Sequence, residues 1–212
     1  MKKVYISQLA DNRIKEHLEC SGYQVVLVSP KAHVDPAINC HPDIYMCHLG
    51  KSIFYGDPKK LEYGYPGHAI YNGCSTGKYF IHNLNITDKD LLREVEKAGL
   101  IKVHVNQGYT KCSCIVVDEN SIITADRGIA KAALTAGLDV LVIDQAQVVL
   151  DGYPYGFIGG ASGKVENTIL FNGDLREHSN YKEIRDFIER RGVSIKYFEG
   201  YSLTDIGSII EE

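Results

Sequence analysis

The sequence has little of what marks membrane, secreted or nucleic-acid-binding proteins. No window approaches 18 apolar residues without charge, so no membrane-spanning helix is predicted. The net charge is -4 and no long run of like charge occurs, which argues against a nucleic acid partner. The first residues, MKKVYISQLADNRIKEHLE, contain only a short apolar stretch and do not predict a secretory signal. We therefore expect a cytoplasmic protein with reduced cysteines.

Linkers and metal-binding spacings are also missing. No Gly/Ser-rich segment or break in composition divides the chain, so residues 1–212 are predicted to form a single domain. The six cysteines include no Cys-x-x-Cys pair, which argues against a zinc site. The segment IGGASGK does not match a dinucleotide fingerprint, and its glycines are expected to allow close backbone packing. Neither a metal nor a cofactor is predicted.

What the sequence does contain is a recurring unit. Residues 112–144, CSCIVVDENSIITADRGIAKAALTAGLDVLVID, have the pattern of strand, turn, strand, helix and strand. Similar units begin near residues 69 and 155, and an abbreviated one begins near residue 41. The C-terminal segment YSLTDIGSIIEE supplies the strand that the N-terminal segment needs for a fifth unit. The pattern predicts an α/β fold with five ββαβ units, a propeller-like ring closed by pairing of the terminal strands. An open α/β sheet with uneven insertions is the alternative.

This arrangement resembles a known fold. Five ββαβ units, together with the stretches HPDI, QGYTKCS, IITAD, YGFIGG and LTDIGSI, resemble the pentein fold of the guanidino-group-modifying enzymes and an uncharacterised bacterial family assigned to it. The resemblance implies a His-x-Asp or His-x-Glu pair and a cysteine two repeats later, facing each other across a channel. His41, Asp43 and Cys112 match that pattern. The cysteine lies in mid-chain rather than near the C-terminus, which implies a circular shift of the ring.

The chemistry of these residue types fits such a role. A thiolate can attack a planar guanidine or amidine carbon, and a histidine can protonate the leaving amine and then activate water. Cys112 is therefore the candidate nucleophile, with His41 and Asp43 as the supporting pair. A buried core thiol is the alternative for Cys112, and a surface turn is the alternative for the pair. Cys74 is a rival nucleophile, whereas Cys114 is expected in the core.

Local geometry can also be predicted for these residues. If CSCIVVD is a strand, Cys112 and Cys114 share one face, lie too far apart for a favourable disulfide, and leave Lys111 on the other face. Cys112 is expected near the mouth of the channel. If HPDI is extended, His41 and Asp43 share a face, and Pro42 favours extension of the residue before it.

Four further residues are expected to bind substrate: Asn72, Gln107, Asp126 and Asp205. Asp126 also fits a helix N-cap, and Asp205 interrupts an apolar strand, where a buried acid needs a partner such as a cation. No arginine cluster is present to hold a substrate carboxylate, and Arg127 is the nearest candidate.

The expected function is hydrolysis of a guanidine-, amidine- or amide-type C–N bond of a small molecule, with a cation as one option. The alternative is a non-catalytic pentein that binds a partner or senses a ligand. The oligomeric state is open, with a homodimer as one option.

Overall fold

Short strands in five small sheets make up the framework of the computed structural model, which describes residues 2–30 and 34–212. The strands of the first two sheets are β1 Lys3–Ser7, β2 Gln24–Val28 and β14 Ile210–Glu211, and β3 Met46–His48 and β4 Ile53–Tyr55. Those of the third and fourth are β5 Cys74–Ser75, β6 Tyr79–His82 and β7 Ile101–His104, and β8 Cys114–Asp118, β9 Ser121–Thr124 and β10 Asp139–Val142. The fifth contains β11 Ser162–Val165, β12 Thr168–Phe171 and β13 Ser194–Lys196.

The helices are of two lengths. Four have nine residues each: α1 Asn12–Cys20, α3 Lys89–Lys97, α5 Arg127–Thr135 and α6 Tyr181–Glu189. Two are single turns, α2 Pro42–Tyr45 and α4 Thr110–Ser113. Short 3-10 turns occupy Pro58–Lys60 and Leu175–Glu177. No helix within the described ranges is long and apolar enough to cross a membrane.

The predicted repeat is confirmed in three sheets. In each, an antiparallel hairpin is followed by a helix and then by a strand parallel to the second strand of the hairpin. In the unit of α5, the small or branched side chains of Ile129, Ala130 and Ala133 are buried, and Asp126 caps the helix by accepting the N–H of Ile129. An apolar stripe on each helix therefore packs on its sheet, as the sequence pattern predicts.

The abbreviated unit is also confirmed. Strands β3 and β4 form a two-stranded sheet. Among the described residues between β4 and β5, the only regular element is the short 3-10 turn Pro58–Lys60, where the other units have a full helix. This segment contains prolines and glycines in the run DPKKLEYGYPG, which cannot sustain a full helix.

The two ends of the chain meet in one sheet. β14 pairs antiparallel with β1, with Val4 opposite Glu211 and Tyr5 opposite Ile210, and β1 pairs parallel with β2. The predicted pairing of the terminal strands is confirmed, and closure of the whole ring stays a prediction. The C-terminal strand is shorter than expected because Gly207 and Ser208 have φ values of 70° and 72°, which a strand does not accommodate.

Two segments predicted to be extended are instead helical turns. Cys112 lies in α4 and only Cys114 lies in β8, so the prediction that both share one strand face is wrong. Asp43 lies in α2, where Pro42 occupies a favourable first helical position, and only His41 is extended. Lys111 therefore does not point away from the cysteine side, and Cys112 is buried rather than at a mouth.

The apolar core offers a test of the packing. Phe171 on β12 is 0% exposed and belongs to the same buried apolar cluster as Ile184 and Phe187 of α6. Phe171→Ala should therefore lower the free energy of unfolding by about 3–5 kcal/mol. Chemical denaturation would measure the loss. Leu134→Ala on the exposed face of α5 is the control, with an expected change within about 0.5 kcal/mol. Equal losses for the two variants would contradict this assignment of the core.

Candidate active site

Three residues on two single-turn helices meet in the interior. A ring nitrogen of His41, a carboxylate oxygen of Asp43 and the sulfur of Cys112 all lie within 4.8 Å of one another. Their exposed fractions are 2%, 0% and 3%, so the group is closed to solvent. His41 directly precedes α2, Asp43 is its second residue, and Cys112 is the third residue of α4. Residues 69 positions apart in the chain are thus brought into contact.

Cys112 is hydrogen-bonded as a neutral thiol. Its Sγ lies 2.8 Å from Asp43 Oδ2, and Asn72 Nδ2 lies 3.4 Å from the same sulfur. Burial raises the pKa of the Cys112 thiol well above its ordinary value, and the nearby carboxylates of Asp43 and Asp205 raise it further. The thiol therefore keeps its proton and donates a hydrogen bond to Asp43 Oδ2.

Asn72 joins the two helical turns. Its Oδ1 accepts the backbone N–H groups of Lys111 at 3.0 Å and of Cys112 at 3.2 Å. Its Nδ2 donates to the backbone carbonyl of Asp43 at 3.3 Å, and its own backbone carbonyl accepts the N–H of Thr110. The side chain is fully buried, so each of these bonds lies in a low-dielectric environment where it is strong. Asn72 thereby fixes the position of the thiol relative to Asp43.

Asp205 and His41 form a second, looser pair. Asp205 Oδ1 lies 3.8 Å from His41 Nδ1, which is longer than a hydrogen bond. Asp205 instead accepts the N–H groups of Phe157 at 2.8 Å and Gly207 at 3.0 Å. Burial raises the pKa of Asp205 to about 6 and lowers that of His41 to about 4, so at neutral pH the first is a carboxylate and the second a neutral imidazole.

Two buried polar atoms in this site have no hydrogen-bond partner among the described residues. They are His41 Nδ1 and Asp43 Oδ1. An unpaired buried polar group costs about 1–3 kcal/mol, so two beside a single thiol call for an explanation. A bound molecule with N–H groups would satisfy Asp43 Oδ1, which can only accept while it is ionised.

Glycines allow the backbone to approach these side chains. A Cβ at Gly160 would lie 2.0 Å from Asp205 Oδ1, and a Cβ at Gly159 would lie 2.4 Å from the carbonyl oxygens of Lys111 and Cys114. The N–H of Gly160 donates to the carbonyl of Cys112 at 2.8 Å. The expected role of the IGGASGK segment in close packing is confirmed.

Two of the residues expected to bind substrate lie elsewhere. Gln107 Nε2 is 3.3 Å from Asp126 Oδ2, and both line a cavity of about 610 Å³ together with Tyr65 and His104. Cys112 does not line that cavity. Arg127 is the exposed first residue of α5. The structure thus groups Asn72 and Asp205 with Cys112 but leaves Gln107 and Asp126 apart.

The rival cysteine also lies apart from His41 and Asp43. Cys74 is on β5, fully buried, and its thiol contacts that of Cys114. Its backbone N–H donates to Thr110 Oγ1 at 3.1 Å. Among the described residues, Cys112 and not Cys74 lies within 4.8 Å of the His-x-Asp pair as one close group.

Sequence reasoning missed two residues of this site, Lys111 and Ser208. Ser208 Oγ lies 2.8 Å from Asp43 Oδ2, and Lys111 Nζ lies 3.1 Å from Ser208 Oγ. The strand assignment for CSCIVVD directed Lys111 away from the cysteine. For Ser208 the signal was weak: a small polar residue after a glycine within an apolar segment.

The His41, Asp43 and Cys112 side chains are of types that bind metals, and their spacing would let them approach one ion. The 2.8 Å hydrogen bond instead pairs the sulfur with the carboxylate. A thiol must lose its proton to bind a metal, and burial, which raises the pKa of Cys112, opposes that loss.

Gly207 permits a direct test of the close approach to His41. Its φ is 70° and an added Cβ would lie 2.0 Å from His41 Cβ, whereas Gly192 has a φ of 69° and nothing within 4 Å. Both Gly→Ala changes carry the cost of a left-handed backbone, about 1 kcal/mol. Gly207→Ala should lower the melting temperature well beyond Gly192→Ala because it also displaces His41. Equal melting temperatures for the two variants would show that the backbone yields without cost.

Comparisons with known proteins identify the family and the fold of the chain. Residues 52–210 match the model of a family described as "Family of unknown function (DUF6873)". No curated protein matches the chain. A cysteine-to-serine mutant of dimethylarginine dimethylaminohydrolase from Pseudomonas aeruginosa, complexed with citrulline, superposes with a TM-score of 0.58 at 12% identity, over 93% of this chain and 92% of that one.

A second structure gives a similar result. The adduct of dimethylarginine dimethylaminohydrolase with 4-chloro-2-hydroxymethylpyridine superposes with a TM-score of 0.54 at 13% identity, over the same 93% and 92% of the two chains. At this identity the likeness establishes the fold. The chain has the α/β pentein fold of that guanidino-modifying enzyme, and it belongs to the family of unknown function DUF6873.

Proposed function

We propose that the protein is a cysteine-dependent hydrolase that cleaves the C–N bond of a small guanidine or amidine cation. The observation that carries the proposal is the Cys112 thiol, 2.8 Å from the Asp43 carboxylate and within 4.8 Å of a ring nitrogen of His41. A nucleophile, a proton carrier and an acid that orients the substrate are the groups such a reaction requires.

A cation fits the charge of this site. Asp43 and Asp205 are both buried, and burial of carboxylates without a compensating charge is costly. A planar guanidinium or amidinium could donate one N–H to the unpartnered Asp43 Oδ1 and place its carbon toward Cys112. Its positive charge would also lower the free energy of a thiolate next to two acids. Substrate binding would thus prepare the nucleophile that attacks it.

The protons balance through His41. The neutral imidazole accepts the thiol proton as the sulfur adds to the planar carbon, and the imidazolium then protonates the leaving amine. That departure breaks the C–N bond and leaves a thiouronium intermediate on Cys112. The imidazole, neutral again, takes a proton from water as the oxygen adds to the same carbon. It returns that proton to the sulfur when the C–S bond breaks, which yields an amine and a urea-type product.

The fold supports this proposal at a coarser level. The similar dimethylarginine dimethylaminohydrolase holds citrulline in a structure of its cysteine-to-serine mutant, a ureido compound of the product type proposed here. We also expect the five sheets to surround the site as a closed ring, with β1 and β14 as the closing pair. Because the catalytic groups are at most 5% exposed, covering side chains must move for a substrate to enter.

The second candidate is a ligand-binding pentein without turnover. The observation in its favour is the same burial, which raises the pKa of Cys112 well above the ordinary value of a thiol. Such a protein would bind the cation without releasing an amine.

Covalent labelling separates the candidates. 2-Chloroacetamidine should alkylate Cys112, identified by peptide mass mapping, because the amidinium is drawn to Asp43 and Asp205. Cys112→Ser should lose this label, whereas Cys114→Ser should keep it because Cys114 has no carboxylate contact of this kind. A panel of small guanidines and amidines, assayed for released ammonia or amine, should then give turnover with wild type and Cys114→Ser but not with Cys112→Ser. Labelling without turnover of any compound would favour the binding protein, and no labelling of Cys112 would contradict the hydrolase.

The pH dependence tests the role of the acids. The alkylation rate with 2-chloroacetamidine, divided by that with neutral 2-chloroacetamide, should fall as the pH drops through about 6 because Asp205 gains a proton and loses its charge. Asp205→Asn should reduce the ratio about tenfold at pH 7.5, in line with the loss of one nearby buried charge. Asp126→Asn is the matched control, since asparagine also caps a helix. A ratio that is independent of pH in wild type would remove Asp205 from recognition.

A further inference from the structure

Lys111 is linked to the nucleophile through three hydrogen bonds. Its Nζ lies 3.1 Å from Ser208 Oγ, and Ser208 Oγ lies 2.8 Å from Asp43 Oδ2. That oxygen also accepts the thiol of Cys112 at 2.8 Å. Because an ammonium can only donate, Ser208 accepts from Lys111 and directs its own proton toward Asp43 or toward the carbonyl of Gly159 at 3.0 Å. When Ser208 donates to Asp43, an ammonium, a hydroxyl, a carboxylate and a thiol are linked in sequence.

Lys111 supplies positive charge to a buried acidic site. Burial raises the pKa of Asp43 and of Asp205, and the Lys111 ammonium opposes the rise at both. It also acts on groups of the neighbouring strands. The titratable groups that face Lys111 or Cys112 are His41, Asp43, Cys47, His48, Cys74, Tyr109, Cys114 and Asp205.

The backbone at Ser208 is held in an unfavourable conformation. Its φ is 72°, in the left-handed region that favours glycine, and the residue is fully buried. Its N–H donates to the carbonyl of Gly160 at 2.9 Å, which fixes the backbone. Serine at this position therefore carries a conformational cost that glycine would avoid. In return, its hydroxyl contacts the Lys111 ammonium and the Asp43 carboxyl group.

We propose that Lys111, acting through the hydroxyl of Ser208, is a positioning residue that holds Asp43 as a carboxylate against Cys112 and offsets the charge that a thiolate adds. This inference rests on the proposed function, because it assigns to Lys111 a role in preparing the nucleophile. Lys111 does not touch the reacting carbon in the mechanism above.

The test measures the reactivity of Cys112 with a neutral reagent. Iodoacetamide alkylation of Cys112 is followed by mass mapping from pH 6 to pH 11, so the result is independent of substrate recognition. Lys111→Met should move the midpoint of the profile up by about one pH unit, which corresponds to about tenfold slower alkylation below the midpoint. Lys111→Arg keeps the charge and should stay near wild type. Ser208→Gly, which suits the left-handed backbone, should give an intermediate shift of several fold.

Controls separate the electrostatic effect from a loss of structure. Lys182→Met on the exposed face of α6 removes an equal charge far from the described contacts of Cys112 and should leave the profile unchanged. Melting temperatures show which variants fold. If Lys111→Met does not fold, the profiles of Ser208→Gly and Lys111→Arg test the role of Lys111.

Distinct failures identify which proposal is wrong. A Lys111→Met profile equal to that of wild type would overturn the role of Lys111 and leave the hydrolase proposal standing. Equal shifts for Lys111→Arg and Lys111→Met would reduce Lys111 to a packing role. If Cys112 of the wild type resists both iodoacetamide and 2-chloroacetamidine, the hydrolase proposal itself falls.

Discussion

The side-chain amide of Asn72 is the interaction on which the site depends. Two residues before β5, it accepts two backbone N–H groups of α4 and donates to the backbone of α2. Neither single-turn helix would be stable alone, because one turn fixes several dihedral angles in return for one hydrogen bond. Tertiary hydrogen bonds from Asn72 compensate for that cost, and they set the distance between a thiol and a carboxylate that lie far apart in the chain.

The sequence pattern predicted the framework because the strands and long helices are determined by nearby residues. The hairpins and the nine-residue helices follow from alternation, glycine stops and aspartate caps, each of which acts within a few residues. The two helical turns were missed because Asn72 imposes them from another part of the chain. The family resemblance correctly directed attention to His41, Asp43 and Cys112 as neighbours, although the geometry assumed for them was wrong. Lys111 could not be placed without knowing that Cys112 lies in a helical turn and not in a strand.

Electrostatics explain why Cys112 and His41 are uncharged in this site. Two carboxylates in the interior disfavour a third negative charge, so Cys112 keeps its proton, and burial keeps His41 uncharged. Under the proposed function, the positive charge of the bound substrate, together with that of the Lys111 ammonium, would allow Cys112 to give up its proton.

The crowding of Asp43 Oδ2 has a stereochemical consequence. Because that oxygen already accepts from Cys112 and Ser208, an incoming donor is directed to Oδ1 on the other side of the carboxylate. A tetrahedral ammonium ion that donates to Oδ1 has only a saturated carbon to offer the sulfur. A planar amidinium can donate in its own plane while its electrophilic carbon presents a face. Under the proposed function, the carboxylate would thus discriminate between cations of equal charge by their shape at carbon.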